Sequence, residues 1–342
     1  MPEPQTYIGA YTRDGFAGLR SSIVRQQYTA PFAKVNGGYA PRCFNLLDVQ
    51  KADIEQAEGL PVTLLEGDGI ALEVAHHDGP SKFAIRNVFA DEVHFILQGS
   101  ARLECDFGTL DVVSGDFIHI PRAVSYRFGE IEEPVVDVVI GVDSQLLLRP
   151  DNPPGTLNVV RDADQPRPWD AGQVSLDEHR LVIRHGEQTT EYVFGYDPLL
   201  SVASRGPAVV QRFNFADVHA LMVDGDGGVP PARIFDDPTT NHLIFNISSR
   251  ESARPPVHNN ADYDEIAIYT AGPDRWGAIT RPGAIGWVPK GIIHHGPEED
   301  TPGGFKAFLI ETRANLRLAP AAERIAETME TGQYGPFAGG ER

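Results

Sequence analysis

The sequence predicts an all-β protein made of two barrels in tandem, with a few peripheral helices. Three observations predict it: short apolar runs closely punctuated by glycine and proline, weak helical periodicity, and a motif that recurs half a chain later. The runs are short and rich in Val, Ile, Phe and Leu, as at Val93–Leu97, Ala101–Cys105, Leu110–Val113, Phe117–Ile120 and Val135–Ile140. The 34 glycines and 27 prolines scattered through the 342 residues separate them, the pattern of a β-sandwich or barrel. Helical spacing stands out only over Pro320–Thr331, where Ala321, Ile325 and Met329 recur at every fourth position. That segment is expected to be a C-terminal helix packed outside the sheet. The length suits two domains of ordinary size. The proline-rich polar stretch Arg149–Gly172 is the expected connection, dividing the chain into residues 1–155 and 156–342.

The recurring motif carries the chemistry. In the first half six residues separate Glu92 from Gly99, and five separate Gly115 from Pro121; Glu265, Gly272, Gly283 and Pro289 repeat both spacings in the second half. Such a pattern suits a strand that carries a glutamate inward, a glycine at a tight turn, and a second hairpin whose proline fixes the loop returning a side chain to the barrel mouth. The two units resemble the paired motifs of the cupin superfamily, whose fold is a double-stranded β-helix, or jelly-roll, barrel.

Cupin metal sites take histidines just before the glutamate and one after the proline. In the first unit those positions are Ile85, Asn87 and Tyr126, so Glu92 has no imidazole partner there and this barrel is expected to be metal-free. His94 and His119 alternate with apolar neighbours, as packing or hydrogen-bonding residues do. In the second unit His258 stands seven residues before Glu265, and His294 and His295 stand five and six residues after Pro289. Two imidazoles and one carboxylate form the facial triad of non-haem Fe(II) enzymes, which leaves positions open for substrate and dioxygen. Neighbouring residues on a strand face opposite sides, so one of the His294/His295 pair should reach the metal. Generic spacing points to His294, and the string HGPE, His295 to Glu298, points to His295. Asn260 stands where many cupins carry an additional histidine.

Charge and composition narrow the partners. Lys and Arg total 29 against 48 acidic residues, a net charge of −19, which repels nucleic acid and anionic membrane surfaces. No apolar run reaches the length of a membrane span, and Met1–Arg20 lacks a basic-then-apolar leader pattern, so a cytoplasmic location is the expectation. Cys43 and Cys105 are too isolated to form a thiolate cage and are expected to be buried free thiols.

The C-terminal half more closely resembles homogentisate 1,2-dioxygenase. The segments that carry the likeness are RPPVHNNADYDEIAIYTAG (Arg254–Gly272), IIHHGPE (Ile292–Glu298) and FKAFLIETRANLRLAP (Phe305–Pro320), and the first unit resembles that family's metal-free half. The resemblance implies His258, Glu265 and His295 as ligands of Fe(II), and cleavage of a homogentisate- or gentisate-like dihydroxylated aromatic acid with dioxygen. It also implies a homo-oligomer. His294 and His242 are then the candidate catalytic residues, and Asn260, Arg254 and Tyr269 the candidate substrate contacts. Arg275 and Lys290 join Arg254 as cations that could meet a substrate carboxylate. The chain departs from the family at two substrate-contacting positions, where Asp274 and Pro289 stand in place of a tyrosine and a histidine.

Overall fold

Each half of the chain builds its barrel around one central strand bearing the motif glutamate. The computed structural model describes residues 5–15, 19–27, 30–149, 157–170, 172–219, 231–248, 257–271, 281–296 and 304–332. In the N-terminal barrel the strand Asp91–Cys105 lies between Asp116–Ile120 and Ser125–Val142, and the latter continues to Ile70–His77 and Val62–Gly67. In the C-terminal barrel the strand Asp264–Ala271 lies between Ala284–Val288 and Lys306–Thr312, which continues to His242–Asn246 and Ala232–Asp236. The two-barrel, all-β expectation therefore holds.

Among the described residues, side-chain alternation along these strands builds three large cores and two small ones. Leu103, Leu110, Ile118 and Phe128 fill the N-terminal barrel, and Leu243, Phe245, Ala267 and Leu309 fill the C-terminal one. The opposite faces meet between the barrels. Val93, Phe95, Phe117, Val138 and Ile140 pack there with Ile266, Ile268, Trp287, Phe308 and Ile310. The Phe308 ring lies 5.0 Å from Phe95 and 5.1 Å from Phe117. At about 1.5–3 kcal/mol for each buried side chain of this size, the shared layer holds the two barrels as one unit.

The barrels also exchange their leading segments. The hairpin Tyr7–Thr12/Arg20–Arg25 and the strand Arg42–Asn45 belong to the C-terminal barrel, pairing with His258–Asn260 and Ala284–Val288. Their counterparts, the hairpin His179–His185/Gln188–Phe194 and the strand Gln211–Asn214, pair with Ala84–Asn87 and Asp116–Ile120 of the N-terminal barrel. The equivalence extends to single bonds. Asn45 and Asn214 each cap a single 3-10 turn, accepting from Leu47 N at 2.8 Å and Ala216 N at 3.0 Å. The residues after them, Leu46 and Phe215, donate at 2.8 Å to the carbonyls of the repeat glycines Gly283 and Gly115. A division at residue 155 follows chain order, whereas the pairing assigns these segments to the opposite barrel. Parts of the connecting stretch are themselves paired: Ala163–Asp164 joins Gln211–Asn214, and Arg167 bridges to Thr109.

Two local expectations are corrected. The C-terminal helix is a single turn, Pro320–Glu323, because the chain then leaves to pair Glu327–Thr328 with Arg42–Cys43. Met329 is buried, as its apolar spacing requires, and donates its backbone N–H to Pro41 at 2.9 Å. Gly99 lies within a continuous strand rather than ending it. Its φ of +87° allows the Pro134 carbonyl to approach where a side chain would clash, at the bend where the partner strand slips register. Cys43 and Cys105 are buried free thiols, pushed up by burial to about 12 and about 11. Among the described residues no helix is long and apolar enough to cross a membrane.

Candidate metal centre

Three short elements converge at the mouth of the C-terminal barrel. His258–Asn260 pairs antiparallel with Ile293–His294, and His258 lies directly opposite His294. A cross-strand pair shares one face of the sheet, so the two imidazoles come together, with ring centroids 4.2 Å apart. Glu265, the first inward residue of its strand, completes the group. One ligand atom from each of His258, Glu265 and His294 lies within 4.8 Å of the others. His294 Nε2 is 3.0 Å from Glu265 Oε2, and His258 Nε2 is 3.5 Å from Glu265 Oε1.

The donor set fits a divalent cation. His294 Nδ1 is 2.9 Å from the Ile292 carbonyl, which accepts its proton and turns the Nε2 lone pair toward Glu265. Glu265 and His294 are 6 % and 1 % exposed, so the site is shielded from water. Burial by itself raises the Glu265 carboxyl, but the adjoining His294 and His258 outweigh it and hold the group well below the usual carboxylate range. Burial likewise lowers His294, and Glu265 overcomes that to raise it. A carboxylate with an imidazole nitrogen beside each of its oxygens marks a place where a cation can be held.

The second imidazole of the cluster is thus His294, and His295 does not enter it. Pairing of Ile293–His294 with His258–Asn260 sends His294 inward, and alternation turns its half-buried neighbour away. His242 lies on the opposite face of its strand. It pairs with Thr312, whose hydroxyl is 3.0 Å from His242 Nδ1, and it lies beside the inter-barrel core, where burial lowers its pKa. Tyr269 shares the inward face of Glu265 but sits four residues further along, about 13 Å at the rise of a strand, where it packs on Phe305. Asn260 is at the site and donates to Glu265 Oε1 at 3.1 Å. Lys290 donates to the carbonyls of Arg313 and Ala314, at 2.8 Å each. Arg254, Asp274 and Arg275 lie outside the described residues.

Two residues that sequence reasoning passed over shape these sites. Glu311 is fully buried and stands opposite Glu265 on the adjoining strand. Its signal is a lone carboxylate within the apolar string AFLIET. Arg184 enters the N-terminal barrel on the strand His179–His185, in register with Asn87. There Asn87 donates to Glu92 Oε1 at 2.8 Å, as Asn260 does to Glu265, but Ile85 and Tyr126 stand where the imidazoles would be. The guanidinium supplies the positive charge instead, 2.8 Å from Glu73 and 3.5 Å from Glu92. In the C-terminal barrel the register position equivalent to Arg184 is Thr12, opposite Asn260.

A second charge is buried beside Arg184. His94 Nδ1 lies 2.7 Å from Asp137 and its Nε2 3.7 Å from Glu92. Burial disfavours its charged form, but Asp137 and Glu92 prevail and raise it to about 10. A raised folded-state pKa stabilises the fold fully below the unfolded value near 6.5 and loses that contribution as pH rises through the folded value. Melting temperature is therefore expected to fall between pH 7 and pH 10, and His94→Gln should flatten this part of the profile. An unchanged slope in the variant would remove His94 as the cause.

No family model matches the chain. Several solved structures align with most of the chain at low identity. A cupin 2 conserved barrel domain protein from Leptotrichia buccalis aligns over 79 % of this chain and 95 % of its own at 11 % identity, with a TM-score of 0.39. A variant of Bacillus subtilis oxalate decarboxylase aligns over 83 % and 80 % at 12 % identity, with a TM-score of 0.43. The putative glyoxylate-induced protein from Pseudomonas aeruginosa aligns over 86 % and 98 % at 12 % identity, with a TM-score of 0.46. Likeness at this level concerns the fold.

Proposed function

We propose that the protein is a metal-dependent cupin enzyme that holds one Fe(II) on His258, Glu265 and His294 and opens the ring of a dihydroxylated aromatic acid with dioxygen. The observation that carries the metal is the facial grouping of these three side chains. The contrast between the barrels supports it: where Arg184 supplies the charge the imidazoles are absent, and where the imidazoles are present Thr12 takes its place. The aromatic substrate rests on the resemblance of Arg254–Gly272, Ile292–Glu298 and Phe305–Pro320 to homogentisate 1,2-dioxygenase.

The bound ion would supply open coordination positions for a ring hydroxyl and dioxygen and a route for electrons between them. The chain's own residues do the positioning. The Ile292 carbonyl holds His294 in the tautomer that presents Nε2. Asn260 fixes the Oε1 side of Glu265. Burial of Glu265 and His294 keeps bulk water from the ligand atoms. A homo-oligomer in the cytoplasm belongs to the same reading.

Anaerobically purified protein is expected to carry one iron per chain and to consume dioxygen with a 1,4-dihydroxyaromatic acid, giving the ultraviolet absorbance of an opened ring. Iron without oxygen uptake across a panel of such acids would leave a metal-dependent cupin enzyme of another chemistry. Absence of both bound metal and metal-dependent activity would overturn the whole reading.

A further inference from the structure

Resting on that metal site, we infer that Glu311 is a positioning residue of the centre, acting through Asn260 to set the carboxylate of Glu265. Asn260 is 2 % exposed, and its Nδ2 donates to two carboxylates, Glu265 Oε1 at 3.1 Å and Glu311 Oε1 at 3.2 Å. An amide nitrogen has two protons, and here each is directed to one acid. The orientation of Asn260 is settled by this, because a flipped amide would set its oxygen against both carboxylates. Glu265 thereby keeps its Oε1 edge on Asn260 and its Oε2 edge on His294.

The other barrel shows why a second acid is needed. Asn87 performs the same service for Glu92 but is held by its own loop: Oδ1 accepts from the backbone N–H groups of Phe89 at 2.9 Å and Ala90 at 3.0 Å. Asn260 lacks this anchor, and its Oδ1 is buried without a partner among the described residues. The strand position facing Glu92 is Gly141, whereas the one facing Glu265 is Glu311. The barrel with the imidazole pair thus uses a side chain for what the other barrel achieves with backbone.

The surroundings are fitted to this carboxylate. A Cβ added at Gly15 would overlap Glu311, and Gly15 has a φ of +54° that few other residues adopt. Thr12 Oγ1 holds the turn by donating to the Gly15 carbonyl at 2.9 Å. The segment that carries Gly15 is the one exchanged into this barrel beside His258–Asn260.

The test compares Glu311→Met, which keeps the volume and removes the acceptor, with Glu311→Gln, which keeps an acceptor oxygen for Asn260. Mn(II) affinity and the visible spectrum of the Co(II)-loaded protein are the readouts, with the melting temperature of each metal-free variant as the folding control. The Met variant should bind Mn(II) about 10–100-fold more weakly, the range for groups that orient a metal's ligands, and shift the Co(II) bands. The Gln variant should stay close to the wild type in both. Wild-type affinity and spectrum in the Met variant would overturn the inference, and so would equal losses in both, which would assign the effect to charge alone. If the Met variant does not fold, Glu311→Ala takes its place. Wild-type protein that binds neither ion would sink the parent reading instead, which keeps the two failures distinct.

Discussion

Replacing Arg184 by Met is expected to cost the fold about 3–5 kcal/mol, the range for removing one partner of a buried ion pair. The guanidinium touches Glu73 and Glu92, which are 3 % and 1 % exposed, so its loss strands two carboxylates away from water. Glu73 then keeps only the Thr63 hydroxyl, and Glu92 the Asn87 amide and the His94 ring, a weaker compensation that destabilises the native state near neutral pH. Adding Glu73→Gln and Glu92→Gln to the Met variant should restore a large part of the loss, because the buried charge is gone from both sides. Urea unfolding of the metal-free proteins measures this. A loss below about 1 kcal/mol, the level of an exposed pair, would show that Arg184 is not the cation of its barrel. Metal binding in the other barrel should be unchanged in all of these variants.

The second large effect separates two adjacent histidines. His294→Ala should abolish stoichiometric metal binding, weakening it by more than the about 100-fold limit typical of groups outside the first coordination sphere. His295→Ala should leave the metal content of the purified protein near that of the wild type. The difference follows from strand pairing alone: His294 lies opposite His258, and the next residue faces away. Metal analysis after dialysis against excess Mn(II) decides it. Loss of metal in the His295 variant with retention in the His294 variant would reverse the assignment and restore the reading taken from the HGPE string.

These cases show how much the sequence could tell and why it stopped where it did. Spacing located Glu92, Glu265 and His258, because a strand, a turn and a hairpin have fixed lengths whatever surrounds them. Spacing could not choose between His294 and His295, since that depends on the register of a two-residue strand against a partner more than 30 positions away in the chain. His242 was a candidate through the family resemblance, and the face it occupies is decided by the pairing of His242–Asn246 with Lys306–Thr312. Tyr269 lies on the right face at the wrong depth, and depth is counted only once the barrel is closed.

The exchange of leading segments had a trace in the chain: Phe44, Asn45 and Asp48 recur as Phe213, Asn214 and Asp217. The repeat identifies equivalent elements, but not that each has crossed to the other barrel. Crossing depends on which strand edges are open and which apolar faces remain to be covered, both properties of assembled sheets.

The sequence by itself determined the β class, the repeated unit, the lack of imidazole at the motif positions of the first half and the carboxylate of the second. These follow from side-chain alternation, turn chemistry and the plain presence or absence of imidazole, all of which are local. The tertiary structure alone decided that His294 joins His258 and Glu265, that Arg184 meets Glu73 and Glu92 in the other barrel, and that Asn260 bridges Glu265 and Glu311. Each of those results joins residues from distant parts of the chain, and their meeting is set by register and by the packing of one barrel against the other.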